Sequence, residues 1–207
     1  MSRNWLEMNL GAAVLAIVLI VPAGEVLAQS QEELAKAAQN PVASMISLPF
    51  QNNTGFGYGP DNDVQNVLNI QPVWPFSLGT WNLISRTIVP VVYQPDLPGL
   101  DGAFGLGDIN ESLYFSPAQP GKVIWGVGPT FTLPTATSEA LGTEKWSGGL
   151  GLVALTMPGK WVFGMLVSNQ WSFAGDDQRA DVNSMTLQYF VNYNFSRGFY
   201  FTSAPIN

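Results

Sequence analysis

The chain contains no cysteine and no histidine among its 207 residues. Without cysteine there is no disulfide framework, no thiolate metal site and no lipidated N-terminal cysteine. Without histidine the chain lacks the most common general base and metal ligand, and every Ser-His catalytic arrangement is excluded. We therefore expect no enzyme, no metal site and no cofactor.

Charged residues are also scarce, at 11% of the chain, against about 25% in an average soluble protein. Eight basic and fifteen acidic side chains give a formal net charge of −7. Nucleic-acid binding needs a basic face, so this balance argues against a nucleic-acid partner. Hydrophobic residues reach 46% and aromatic residues 12%, which argues against a disordered chain.

The first 28 residues have the pattern of a secretory signal peptide. Arg3 supplies a positive charge, residues 10–23 form a continuous apolar run, and residues 26–28 precede a predicted cleavage site before Gln29. The run is shorter than the ~20 residues that a membrane-spanning helix needs. The sequence therefore predicts export, with residues 1–28 removed.

Residues 29–43 are expected to form a short helical or flexible lead. Only residues 31–39 favour a helix, and Pro41 ends it. We expect a loose lead on the periplasmic side, and the alternative is a plug inside a channel.

From residue 44 onward, apolar and polar residues alternate with the period of β-strands. In residues 123–133, for example, Trp125 and Val127 share one face, and Gly126 and Gly128 share the other. Most of the segments are about twice the ~5–6 residues of a soluble strand and suit a tilted membrane strand of ~9–11 residues. The nine predicted strands are 44–52, 64–76, 81–93, 107–116, 123–133, 146–157, 161–173, 184–195 and one that begins at Phe199.

Two further patterns favour an outer-membrane barrel over a soluble one. Long connections alternate with short ones, as do the outer loops and periplasmic turns of such barrels. Aromatic residues gather near strand ends, where they form interfacial girdles in membrane barrels. The candidates for this girdle are Trp74, Trp81, Tyr93, Trp146, Trp161 and Trp171.

The predicted fold is all-β, an antiparallel up-and-down transmembrane β-barrel of outer-membrane type over residues 44–207. Bacterial single-chain barrels have an even number of strands, so nine strands predict a barrel that is incomplete at its C-terminus. Glu111 fits this alternation poorly, because it lies on the same face of its predicted strand as the apolar Leu113 and Phe115. Either a bulge shifts the register there, or Glu111 lies above the apolar band.

Several stretches resemble one family of bacterial outer-membrane transporters. They are "QNPVASMISLPFQNN" (residues 39–53), "QNVLNIQPVWPFSL" (65–78), "WNLISRTIVPVVYQP" (81–95), "GLGDI" (105–109) and "YFTSAP" (200–205). The family is grouped under "MetA-pathway of phenol degradation", and some of its members carry the label neuromedin U. The resemblance implies a barrel of about twelve strands in the outer membrane, of which this chain holds the first nine, and uptake of aromatic compounds.

We therefore expect a passive outer-membrane channel or transporter with membrane lipid and a small solute as its partners. Few charges face inward, which favours uncharged cargo, and the resemblance implies aromatic solutes. The lumen-lining candidates are Gln65, Asn69, Gln71, Arg86, Asp108, Thr130, Gln188 and Asn192. Two alternatives stay open: a structural barrel that does not conduct, and a soluble periplasmic β-barrel that binds a ligand.

Overall fold

The structure is a computed structural model, and it describes residues 13–20 and 31–204. One antiparallel sheet of twelve strands dominates the described part of the chain. The strands are β1 (Ala13–Ile20), β2 (Ser47–Tyr58), β3 (Asp63–Ile70), β4 (Val73–Leu78), β5 (Trp81–Gln94), β6 (Ala103–Leu106), β7 (Ile109–Pro117), β8 (Ile124–Leu133), β9 (Lys145–Thr156), β10 (Trp161–Gly175), β11 (Asn183–Asn194) and β12 (Tyr200–Ser203).

The sheet follows the order of the chain, so each strand pairs with its sequence neighbours. β3 and β4 together occupy one position between β2 and β5, and β6 and β7 together occupy the next position beyond β5. From β2 to β12 the sheet thus has nine positions, as predicted. The prediction of an antiparallel, mostly β chain is confirmed.

Helical structure is sparse in the described residues. α1 (Gln31–Ala38) lies in the predicted lead, and short 3-10 turns occur at Glu139–Leu141 and Ser196–Gly198. No helix among residues 31–204 has the length and apolar character needed to cross a membrane.

One predicted strand is split in the structure, and another begins late. The predicted strand 64–76 is interrupted between β3 and β4, where Pro72 has no N–H to donate to a neighbouring strand. The predicted strand 107–116 corresponds to β7, which begins two residues later at Ile109, and Gly107 instead donates its N–H to the carbonyl oxygen of Pro90 at 2.9 Å. The predicted strand 44–52 also begins and ends too early, because β2 runs from Ser47 to Tyr58.

Part of the predicted signal peptide is described as a strand. β1 pairs antiparallel with β2, from Ala13 opposite Thr54 to Ile20 opposite Ser47. It covers the edge of β2 that faces away from β3. Residues 1–12 and 21–28 of the predicted signal peptide lie outside the described residues.

The two faces of the sheet differ in chemistry. In β9, Lys145, Ser147 and Val153 are buried on the inner face, whereas Trp146 and Leu150 are exposed on the outer face. Most of the exposed large hydrophobic side chains lie on strands, and many of the buried side chains are amides or hydroxyls. The sheet therefore encloses polar groups and exposes apolar ones.

A small apolar core fills the inner side near the short turns. The cluster joins strand residues to one residue of the lead, and its largest fully buried member is Tyr114. Its buried members are Val42, Val73, Ile84, Tyr114, Val153, Leu155, Val162, Leu166 and Phe190. This core lies toward the end of the sheet where β4–β5, β7–β8, β9–β10 and β11–β12 connect, which we call the short-turn end.

Candidate functional site

A cavity of about 330 Å³ lies on the inner face of the sheet. Because the pleat sends alternate residues to one face, residues two apart on a strand, such as Thr130 and Thr132, line the cavity together. Gln51 of β2 and Gln188 of β11 both line this cavity, although many strands separate them in the sheet. The sheet is therefore strongly curved around the cavity.

Hydroxyl and amide groups on one wall of the cavity bond to one another. The hydroxyls of Ser112 and Thr130 lie 3.0 Å apart, and Gln170 Nε2 donates to Thr130 Oγ1 at 2.9 Å. Thr132 Oγ1 donates to Gln170 Oε1 at 2.6 Å. Hydrogen bonds satisfy most of these buried groups, but the buried hydroxyl of Ser147, which also lines the cavity, has no partner among the described residues.

A second network lies on the neighbouring strands, beginning at Arg86, the register partner of Ser112. Arg86 Nη2 donates to Gln71 Oε1 at 2.6 Å, and Gln71 Nε2 donates to Gln51 Oε1 at 3.0 Å. The network connects inner-face positions of β5 and β2 through the residue that follows β3. The charge of Arg86 is thus held at a defined place in the wall.

A smaller cavity of about 140 Å³ lies nearer the short-turn end. Gln51, Arg86, Leu166 and Gln188 line both cavities, so they form the boundary between them. We call these four residues the waist.

The lead packs against the inner face below the waist. Gln39 Nε2 donates to Asn194 Oδ1 at 2.6 Å, and Asn192 Nδ2 donates to Gln39 Oε1 at 3.0 Å. Val42 belongs to the apolar core, and Lys36 Nζ donates to the carbonyl oxygens of Met157 and Gly159. The lead is therefore held at the short-turn end and is not the loose segment that we expected.

The lumen-lining candidates divide between several places. Asn69, Gln71 and Thr130 line the larger cavity, Asn192 lines the smaller one, and Arg86 and Gln188 line both. Gln65 and Asp108 line neither of the two cavities. Gln65 Nε2 donates to Gln94 Oε1 at 2.5 Å.

Asp108 holds a loop instead of facing the cavity. Its carboxylate accepts hydrogen bonds from Thr143 N at 2.7 Å, Thr143 Oγ1 at 2.9 Å and Ala136 N at 3.2 Å. These contacts attach the connection between β8 and β9 to the break between β6 and β7. The sequence placed Asp108 in a strand, but Asp108 lies in the gap between β6 and β7, which explains its different role.

All six girdle candidates are exposed on the outer face, with fractional exposures from 41% for Trp81 to 53% for Trp74. At the short-turn end, Trp81 contacts Trp125 edge to face with their ring centroids 5.7 Å apart. Trp161 contacts Tyr193 in the same manner at 4.8 Å. Aromatic rings thus contact one another around the outside of this end.

Two charged pairs lie toward the other end of the strands. Lys145 Nζ is 3.5 Å from Asp181 Oδ1, and Arg179 Nε is 3.4 Å from Glu144 Oε2. Among the described residues, no group of three or more acidic side chains is arranged to hold a metal ion.

Sequence reasoning missed several residues of the site. Gln39 and Val42 lie in the lead, where no strand period marks a buried face. Gln51 and Gln170 lie in predicted strands and have polar side chains at inward positions, so parity alone could have found them.

Comparisons with protein-family models, with curated proteins and with solved structures find no match to this chain. The resemblance to the transporter family stays a prediction.

Proposed function

We propose that this chain is an outer-membrane β-barrel channel or transporter through which small solutes pass without energy input. In this proposal the N-terminal signal peptide directs export, and the strands cross the outer membrane. The cavity on the inner face is part of the solute path.

The inverted distribution of polar and apolar side chains carries the proposal. Among the described residues, twenty-eight large hydrophobic side chains are exposed, whereas buried side chains include Gln71, Ser112, Thr130 and Asn192. Soluble monomers rarely expose large continuous apolar surfaces, whereas membrane barrels require an apolar outside and accept a polar inside. A soluble periplasmic binding protein would show the opposite distribution.

The position of the aromatic residues supports the same proposal. Trp81 and Trp161 begin strands at the short-turn end, and Trp146 and Phe173 lie toward the opposite end. Amphipathic rings at both ends of membrane strands stabilise the contact with lipid headgroups. The resemblance to outer-membrane transporters is in line with this position.

A structural barrel that does not conduct is the second candidate, and one observation favours it. The lead and the apolar core occupy the short-turn end of the inner space, through contacts of Gln39 and Val42. A solute path would have to pass between these groups.

Conductance across planar lipid bilayers separates the two candidates. The full chain would be reconstituted, and its insertion verified by protection of the strands from protease. The channel proposal predicts stepwise ionic currents. Inserted protein that gives no current, and that gives no swelling of liposomes with small sugars, would contradict the channel and favour the structural barrel.

A further inference from the structure

The waist between the two cavities contains one charged side chain. Gln51, Arg86, Leu166 and Gln188 come from four different strands and line both cavities. Arg86 is the only Asp, Glu, Lys or Arg among the residues that line either cavity. A solute that moves from one cavity to the other therefore passes the guanidinium group.

Arg86 has no acidic partner in the described part of the chain. Its one described hydrogen bond goes to the neutral amide oxygen of Gln71, at 2.6 Å. No described carboxylate lies within 4.0 Å of its nitrogen atoms. A guanidinium has five N–H donors, so most of its donor capacity stays available for another acceptor.

Two other cations of the described residues lie beside carboxylates. Lys145 lies 3.5 Å from Asp181, and Arg179 lies 3.4 Å from Glu144. Arg86 has no carboxylate of this kind, although it lines both cavities. Its unused N–H donors can therefore bind an anion that enters them.

The cavity walls indicate what the rest of that anion is. Ile88 and Leu166 provide apolar surface in the cavity of about 330 Å³. One positive charge matches a single negative charge, and the planar guanidinium fork matches a carboxylate.

We propose that Arg86 binds the carboxylate of a small organic acid with a compact apolar body as the acid passes the waist. This inference rests on the proposed channel function and replaces the expected uncharged cargo by an anionic one. The amides of Gln51 and Gln71 hold the guanidinium in position, and the apolar wall contacts the body of the acid.

Pentanoate and its uncharged analogue pentanamide test the binding directly. Purified full chain in detergent micelles would be titrated with each compound, while the ¹⁵N signals of the arginine side chains are followed by NMR. Arg86→Lys identifies the signal of Arg86. We expect this signal to shift with pentanoate and to require roughly tenfold or more pentanamide for the same response. An equal response to both compounds in the unaltered chain would overturn the inference without relying on any variant.

Ion selectivity tests the same residue during transport. The reversal potential in a sodium pentanoate gradient gives the permeability ratio of pentanoate to sodium. Arg86→Gln should lower this ratio by roughly tenfold, and Arg86→Lys should lower it less, because the charge remains but the fork is lost. Lys122→Gln is the matched control, since it removes a positive charge from an exposed turn.

The two measurements distinguish the possible failures. If Arg86→Gln still carries current and its permeability ratio of pentanoate to sodium is unchanged, the anion site is overturned and the channel stays in place. Pentanoate binding at Arg86 in a chain that carries no current would support the site and contradict the channel.

Discussion

At the residue scale, Glu111 shows how a charge is accommodated on an apolar face. The registers of β7 with β5 and β8 continue through Glu111 without a shift, so the expected bulge is absent there. Glu111 stays on the outer face, and its carboxylate accepts hydrogen bonds from Ser85 Oγ at 2.7 Å and Thr87 Oγ1 at 2.5 Å. Two hydroxyls on the neighbouring strand thus replace part of the water that the carboxylate would otherwise need.

This arrangement predicts strong coupling between Thr87 and Glu111. Thr87→Val keeps the shape of the side chain but removes one donor, so it should destabilise the chain by about 1–3 kcal/mol. The same substitution in a Glu111→Leu background should cost much less. Denaturant unfolding in micelles measures the four free energies. Additivity within about 0.5 kcal/mol would show that the two side chains do not interact.

Gly151 allows a buried ring to pack against the sheet. A Cβ atom at this position would lie 2.8 Å from Tyr114 Oη and 3.0 Å from its Cε1, and Tyr114 is fully buried. Gly151→Ala should therefore lower the free energy of unfolding by about 1–3 kcal/mol. Gly121→Ala is the control, because open space surrounds that position and the change should stay within about 0.5 kcal/mol. Equal effects of the two substitutions would contradict this packing.

Parity along the sequence predicted the face of many residues but not their partners. It indicated that Arg86 and Thr130 share the polar side of their strands, because alternate residues point the same way. It could not bring Ser85 and Thr87 to Glu111, because that contact depends on the register between two strands. The register between two strands is determined by the hydrophobic pattern of both strands and by turn geometry. The spacing of residues along a single strand therefore does not predict it.

At the scale of elements, the lead differs most from expectation. Residues 31–39 were predicted as the helical part, and α1 occupies residues 31–38 of that stretch. Its place against the inner face could not be predicted, because the hydrogen bonds of Gln39 reach β11 about 150 residues later in the chain. Only folding of the whole sheet creates that contact.

Loosening the lead should open the short-turn end in the proposed channel. Gln39→Ala combined with Val42→Ala removes the hydrogen bonds to β11 and part of the apolar contact in the core. We expect a higher single-channel conductance, because the lead then leaves more of the inner space free. Glu33→Gln is the comparison variant, since Glu33 is an exposed residue of α1. An unchanged conductance in the double variant would mean that the lead does not limit the path.

Strand interruptions follow from local chemistry that a periodic pattern hides. The alternation continues across Pro72, so the sequence predicted one strand there, and it predicted that another strand begins at Gly107. In the structure the missing N–H of Pro72 divides the first of these strands, and the loop contacts of Asp108 keep residues 107 and 108 out of β7. Proline was visible in the sequence, whereas the role of Asp108 depends on Thr143, a residue of a distant loop.

At the scale of the whole molecule, the proposal places lipid where a soluble protein would have water. Burying the exposed side chains of the outer face in hydrocarbon would stabilise the chain by about 25 cal/mol for each Å² of apolar surface removed from water. The polar inner face would then be the part in contact with water and solute. The sequence predicted this alternation, but alternation alone did not decide which face is enclosed.

Quenching of tryptophan fluorescence by lipids brominated in their acyl chains tests this central claim most directly. Trp74, Trp81, Trp125, Trp146, Trp161 and Trp171 are all exposed on the outer face. Full chain reconstituted in brominated vesicles should therefore lose most of the emission that it shows in unbrominated vesicles, while acrylamide in the water quenches it weakly. A chain that stays in aqueous solution without detergent, with emission that brominated lipid leaves unchanged, would contradict the account.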